Sequence, residues 1–548
     1  MRKIVPLTIG LTLLIFCLLP AQTSFEITEA YGDQLIIGML GNPAMELNPF
    51  EIDTPEQRDV ISLLFGGGLI QRPDKMVAPP TLIDRFVFTS GPKANKVWRM
   101  VLKRNIIFHD GTDVRNTDVK FTFEFLKKFG GHILNRRLNF QNIKTVRTVG
   151  DLEIIFELYV PDADFNRKLN DVPIISQRYY GDGLEKGFAI FDEKRPMGLG
   201  PFAYQFRSTK TIYLRYHPHY YSGRPFLDRI QIRFFDDEQQ MVDALVNGEI
   251  DFAELPDVST AQRINQLMGR KIIVFSVPRP EKKLYYMLFN LHKFPFTEPE
   301  VRRAILMGIN RKQITRRILD KNGDMALTLF DEKSPHFAGG AFQDDYNPTQ
   351  ALRILTRAGW TLNRTTGILE KNGKPLSFKL YFSRKSILEE NIVRSIKVYL
   401  GDLNINVQPV PLDQKQKQMA IQNGNFECLV DKYIYDPEHP FEAVEYFYFN
   451  ILRGEFKNPN YRNRHIDRIF NISYRDDKIR KELIKRFQLY VRRDLPAIFL
   501  FFDRKIIVAV NSRFHNVRSV FRDEYTYYYR LNPISNWFVP KELQKYSF

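Results

Sequence analysis

The chain has 548 residues, of which 44% are hydrophobic and 26% charged, and its formal net charge is +17. That length exceeds one compact core and predicts two or three lobes, while the apolar share excludes a disordered chain. The basic excess is scattered in pairs such as Arg302-Arg303, Arg316-Arg317 and Arg492-Arg493, not gathered in a stripe, which argues for solvated faces and against a nucleic-acid surface.

Arg2 and Lys3 precede an uncharged run that continues to Phe25, with the small Ala21 after Pro20. A basic start, a short apolar core and a small residue near its end predict a secretory signal peptide over residues 1–21. The mature protein is therefore expected to be exported, periplasmic or attached to the envelope surface. A lipid on Cys17 would need a small residue before it, and Phe16 is bulky, so cleavage after Ala21 is expected. No later segment has 18 consecutive apolar residues, so no membrane span is expected. With Cys17 removed, Cys428 is the remaining cysteine and no internal disulfide can form; it reads as a buried small hydrophobe.

Residues 34–40 read as a strand leading into Gly41-Asn42-Pro43 and the loop Glu46-Leu47-Asn48-Pro49. A loop after a strand in an α/β chain is a candidate cleft lining, and Asn48-Pro49 equally suits an ordinary turn. Helical spacing follows over 54–65. Residues 97–103 and 105–108 read as two short strands, and His109-Asp110-Gly111-Thr112 as a turn with Gly111 at positive φ. Asn116 or Thr117 then caps a helix with Asp118 in its first turn and Val119, Phe123 and Leu126 on its apolar stripe. Residues 144–149 and 152–158 pair as a hairpin across Gly150-Asp151, and 201–206 with 211–216 as another, turning at Ser208-Thr209. Alternating strands and helices predict an α/β fold. The absence of a Pro/Gly/Ser-rich linker suits lobes joined by crossing strands.

GLGPFA at 198–203 fits the dinucleotide fingerprint as a string, but Pro201 and the β-like residues after it leave no helix to meet a pyrophosphate. A tight lead into a strand is the expectation. His217-Pro218-His219 sets two imidazoles at strand spacing, yet the next carboxylate is Asp228, so a surface turn is expected and not a metal site. HExxH, GxSxG and Walker A patterns are absent from the sequence. No catalytic residue, cofactor or metal is predicted.

Residues 98–125, WRMVLKRNIIFHDGTDVRNTDVKFTFEF, resemble the signature W-x-F-x-L-R-x-x-V-x-F-H-D-G-T-x-x-x-A-x-D-V-x-F-T of bacterial extracellular solute-binding proteins of the peptide and nickel class. Further matches follow in order: Gly198-Leu199-Gly200-Pro201-Phe202, the Tyr220-to-Ile230 stretch, ALVNGEIDFA at 244–253, Asn290 with Val301-Arg302-Arg303-Ala304, and the segment 351–360. The resemblance implies an α/β, periplasmic-binding-protein-like clamshell: a first lobe of 26–58, 196–277 and 499–548, an inserted lobe of 59–195, and a second major lobe of 278–498. It implies a monomeric, non-enzymatic component of an ABC importer that captures peptides or a related small solute between lobes and hands it to a membrane permease. The alternatives are a binding protein for a metal chelate, opine or sugar, a secreted hydrolase on an unfamiliar scaffold, and a surface-attached interaction protein.

The segment 426–441, FECLVDKYIYDPEHPF, resembles the family's F-D…W-x-x-D-Y-x-D-P-x-x-F region, with Asp436-Pro437 at the D-P. In peptide-binding members an aspartate three residues before that D-P pairs with the ligand's α-ammonium; this chain has Tyr433 there. Asp431 lies two residues earlier and so on the same strand face, where a carboxylate suits a primary ammonium. The expected ligand-binding set is thus Glu46, Leu47, Asn48, Asp431, Tyr433, Tyr435 and Asp436, the tyrosines offering stacking surface. The alternative for 426–441 is a strand with an alternating core face.

Overall fold

The computed structural model describes residues 30–52, 54–66, 82–87, 96–129, 140–162, 165, 169, 172–339, 345–435, 437, 440–454, 460–473, 477–518 and 534–548. The expected signal peptide, Cys17 and Asp436 lie outside these described residues.

The first part of the chain supplies β1 (Gln34–Leu40), α1 (Pro55–Phe65), β2 (Ile83–Val87), β3 (Val97–Leu102), α2 (Asn116–Phe129), β4 (Ile143–Val149) and β5 (Glu153–Leu158). β2 to β5 form a four-stranded sheet in the order β2-β3-β5-β4. α2 packs on it through Val119, Phe123 and Leu126, all fully buried. Gly111 takes φ +85° in the turn before this helix. Residues 105–108 do not form the expected strand: Asn105 turns the backbone to φ +59°, and only an isolated bridge between Ile107 and Asp113 remains. Neither Asn116 nor Thr117 caps α2. Asn116 donates to the Gly150 and Glu153 carbonyls, tying the helix to the β4-β5 turn, while the Asp118 carboxylate accepts the Arg115 N–H at the helix start.

The chain then forms β6 (Phe202–Arg207), β7 (Thr211–Tyr216), β8 (Arg229–Phe235), α3 (Glu238–Val246), β9 (Phe252–Leu255), α4 (Val258–Met268) and β10 (Ile272–Phe289). After it come α5 (Arg311–Leu319) and β11 (Gly323–Met325), then a separate small sheet of β12 (Thr361–Leu362), β13 (Leu369–Lys371) and β14 (Lys374–Pro375). The last elements used below are β15 (Ser377–Ser383), α6 (Ile387–Gly401), β16 (Asn406–Leu412), α7 (Gln414–Gln422), β17 (Cys428–Tyr435) and β18 (Ala497–Asn511). One 11-stranded sheet runs β16-β15-β17-β10-β18-β9-β1-β8-β7-β6, with β11 beside β18.

β10 and β18 belong to both ends of that sheet. Their antiparallel register runs from Ile272 opposite Asn511 to Pro278 opposite Lys505, then resumes with Lys283 opposite Asp503. β10 spends more residues than β18 across this gap, a bulge where a strand pair bends and twists. On one side of it Ile506, Val508 and Val510 face a core shared with β1, β8 and the small β2-β5 sheet, while Ile507 and Ala509 face a second core under α3 and α4. On the other side Met287, Phe378 and Phe501 pack beneath α6, and Leu284, Tyr433 and Phe499 pack on the opposite face. Strands covered on both faces read as continuous apolar runs, which is what β18 shows. Two lobes therefore share β10 and β18. The free Cys428 is fully buried in the second.

The 198–203 segment meets α1. A Cβ on Gly200 would lie 2.1 Å from the Leu63 carbonyl oxygen, and one on Gly198 2.6 Å from that of Leu64. These glycines let backbone pass against backbone. His217 is not on a surface turn as expected. It is 2% exposed, its Nδ1 lies 3.2 Å from the Gly200 carbonyl, and its ring meets that of His109 edge-on at 4.9 Å; His219 alone is exposed.

Candidate functional site: the cleft between the lobes

β1, β8 and β9 are parallel, and their carboxyl ends open onto the space between the lobes, the usual ligand position of an open α/β sheet. Gly38, Leu40 and Glu254 line that space from the first lobe, and Lys283, Tyr285 and Lys432 line it from the second. Asp503, Lys505 and Ile507 on the shared β18 complete the floor. The cleft holds about 1720 Å³ of space continuous with solvent.

α1 presents Glu56, Asp59 and Leu63 to the cleft, a three-then-four spacing that keeps them on one helix face. Its start is fixed locally: the Thr54 side chain accepts the Gln57 N–H and Pro55 occupies the first helical position. Glu238 opens α3 just after the cap Asp237 and reaches across the cleft, where its carboxylate accepts the Ile387 N–H at 2.7 Å. Burial pushes the Glu238 carboxyl above the ordinary carboxylate range, although the Ile387 N–H and the Lys432 and Lys283 ammonium groups pull the other way. Nearby, Asp257 caps α4 through Thr260 and also accepts the Asn391 side-chain amide at 2.8 Å. Lys283 pairs with Asp503 directly opposite it, at 3.5 Å.

None of the residues expected from sequence lines this cleft among those described. Glu46 is exposed and its carbonyl accepts the Gln57 amide; Leu47 is buried in the first-lobe core. Asn48 is buried, donating to Glu51 and accepting the Phe50 N–H, so it makes a local side-chain turn. Asp431, Tyr433 and Tyr435 do share one strand face, but that face is turned to the helices. Asp431 pairs with Lys417 of α7 at 3.0 Å, and Lys417 also holds Glu389 at 2.9 Å. Burial alone would lower the Lys417 ammonium; the two carboxylates outweigh it and raise it. Tyr433 donates to the Ala443 carbonyl at 3.1 Å, and Tyr435, packed against its ring, donates to that of Leu329. Lys432, one residue out of phase, is the β17 residue that meets the cleft.

Residues 92–452 match the family model described as bacterial extracellular solute-binding proteins, family 5 middle. That match covers more than half of the chain. The chain belongs to the family 5 bacterial extracellular solute-binding proteins. This solute-binding protein is 25% identical over 488 residues to the oligopeptide-binding protein AppA of Bacillus subtilis, covering 86% of each chain. The solved structure of AppA from Bacillus subtilis in complex with a nonapeptide superposes with a TM-score of 0.67 at 20% identity, over 93% of this chain and 99% of that one. NikA from Brucella suis in complex with Fe(III)-EDTA gives a TM-score of 0.70 at 16% identity, over 92% of this chain and 99% of that one. These likenesses establish the α/β periplasmic-binding-protein fold. Among the described residues of the solute-binding protein, no helix is long and apolar enough to cross a membrane.

Sequence reasoning passed over Glu56, Glu238, Glu254, Lys283, Lys432 and Lys505. A usable signal existed for two of them: Glu254 lies in the carboxyl-terminal half of β9 and Glu238 starts the helix after β8, the positions that border a crevice in α/β sheets.

Proposed function

We propose that this protein is the substrate-binding component of an ABC importer, exported from the cytoplasm, that captures peptides in the inter-lobe cleft and delivers them to a membrane permease. The observation that carries this reading is the cleft itself: carboxyl ends of parallel strands on one side, a second lobe on the other, and β10 and β18 shared between them. The bulge between Pro278 and Lys283 supports a hinge there, with lobe limits near 278 and 499. Such a protein alternates between an open form that admits ligand and a closed form that holds it, and it needs no chemistry. Family membership and the peptide-binding relatives favour peptides over chelates, opines or sugars.

A thermal-shift screen tests this directly. A peptide at about a hundred times its Kd should stabilise the fold by about 2.7 kcal/mol, and small-angle scattering should show compaction with the same peptide. Stabilisation by metal chelates or sugars, with none by any peptide, would refute the peptide reading.

A further inference from the structure

The helix Pro348–Arg357 carries Arg353 and Arg357 one turn apart on one face, both exposed. Its start is set locally. Pro348 takes the first helical position, the Asn347 side chain accepts the Gln350 N–H, and the Asn347 N–H reaches the Met307 carbonyl at 2.8 Å. That last bond seats the helix against the end of another, Pro299–Gly308. A Cβ on Gly308 would lie 2.4 Å from a Leu403 methyl, so the bare glycine lets the chain after α6 come close. Between these segments and α6 lies a groove on the second lobe, about 1090 Å³ of space open to solvent, which shares no lining residue with the cleft.

Leu352 and Leu403 give the groove an apolar base, and the Tyr346 and Tyr399 rings make a corner in it, 6.1 Å apart and inclined at 75°. The Tyr399 hydroxyl donates to Gln313 of α5, which fixes that ring. Arg353 and Arg357 line the groove. Burial raises the Tyr399 phenol, and Arg317 of α5 is close enough to pull against it. Among the described residues, none of these three guanidinium groups pairs with a carboxylate. Asp345, next to Tyr346, is already held by Arg492 through two 3.0 Å bonds, and Asp402 in the groove pairs with none of the three. A guanidinium fork matches a carboxylate, and an aromatic corner takes a flat ring. Asp402 repels a second negative charge, which favours a monoanion over a dianion. We propose that this groove is a second ligand site, separate from the cleft, for a small aromatic carboxylate. The ring lies against Tyr346 and Tyr399 and the carboxylate meets Arg353 and Arg357. The site stands whether or not the cleft takes peptides.

The test uses the full mature protein with four probes: benzoate, benzamide, acetate and phenyl phosphate. They supply ring with one charge, ring alone, charge alone and ring with two charges. Saturation-transfer NMR titrations at low ionic strength give each Kd. Benzoate should bind more tightly than benzamide by about fivefold, the upper scale of an exposed ion pair, and more tightly than acetate and phenyl phosphate as well. The double variant Arg353→Gln/Arg357→Gln should erase the advantage of benzoate over benzamide, and Tyr346→Leu should reduce its advantage over acetate. Both arginines are exposed and unpaired, so the double variant keeps its fold, and the wild-type comparison needs no variant. Acetate binding as tightly as benzoate would mean an adventitious ion only and would overturn the site. So would the absence of benzoate binding, or benzoate binding that the arginine variant leaves unchanged. Phenyl phosphate binding more tightly than benzoate would overturn the assignment to a carboxylate.

Discussion

The Glu238 carboxylate and the Ile387 N–H meet at 2.7 Å across the cleft, 149 residues apart in the chain. Ile387 opens α6, whose first N–H groups have no partner within the helix, so a carboxylate from the other lobe is a natural acceptor. Asp257 and Asn391 make a second bond between the same lobes one turn further along α6. The surface pair Lys385–Asp236, 3.6 Å apart and well exposed, adds little.

Removing that bond should loosen the closed form. Glu238→Ala is expected to cost about 1.5–3 kcal/mol of closed-state stability, the range for a hydrogen bond to a charged group. The readout is faster peptide release in stopped-flow displacement and a larger radius of gyration with peptide present. Unchanged release would show that the bond does not hold the lobes.

Asp431 is expected to matter for stability, not for recognition. Lys417 is buried between Asp431 and Glu389, and Asp431→Asn leaves it with one carboxylate. Because Asp431 is partly solvated and Glu389 remains, a loss of about 1–2 kcal/mol in urea unfolding is expected, below the full cost of breaking a buried pair. Peptide Kd should change less than about twofold. A large, selective loss for peptides with a free amine would return Asp431 to the binding site.

Gly200→Ala should destabilise strongly, because the new Cβ meets the Leu63 carbonyl at 2.1 Å and backbone cannot swing aside as a side chain does. Overpacking of this kind costs about 1–3 kcal/mol. Displacement of α1 would also move Glu56 and Asp59, so the melting temperature and peptide affinity should fall together.

Burial holds His109 at about 3 and His217 at about 4, against an ordinary value of 6.5. A base with a depressed folded value takes its proton only on unfolding, so its contribution is intact above pH 6.5 and is lost as pH falls below it. Each group contributes a slope of at most about 1.4 kcal/mol per pH unit. Asp118, Glu238 and Asp251, whose carboxyls burial raises, act with the opposite sign. The comparison of wild type with His217→Gln isolates the imidazole: the variant should be less stable at neutral pH but lose less as the urea midpoint is followed toward pH about 5. Parallel curves would refute the assignment.

Local chemistry was legible in the sequence. Strand β1, the Thr54 start of α1, the positive φ of Gly111 and the β4-β5 and β6-β7 hairpins follow from neighbours within a few residues. So does the fact that Asp431, Tyr433 and Tyr435 share a face, since side chains alternate along a strand. Alternation gives only a relative orientation, and a shift of one residue exchanges the faces. The tertiary structure decided which face meets the cleft, by setting Lys417 and Ala443 against the odd-numbered side and leaving Lys432 open. The same holds for the cleft as a whole. Glu56, Glu238, Lys283, Lys432 and Lys505 come from five separate elements, brought together by the long-range pairing of β10 with β17 and β18, and no local pattern encodes that meeting.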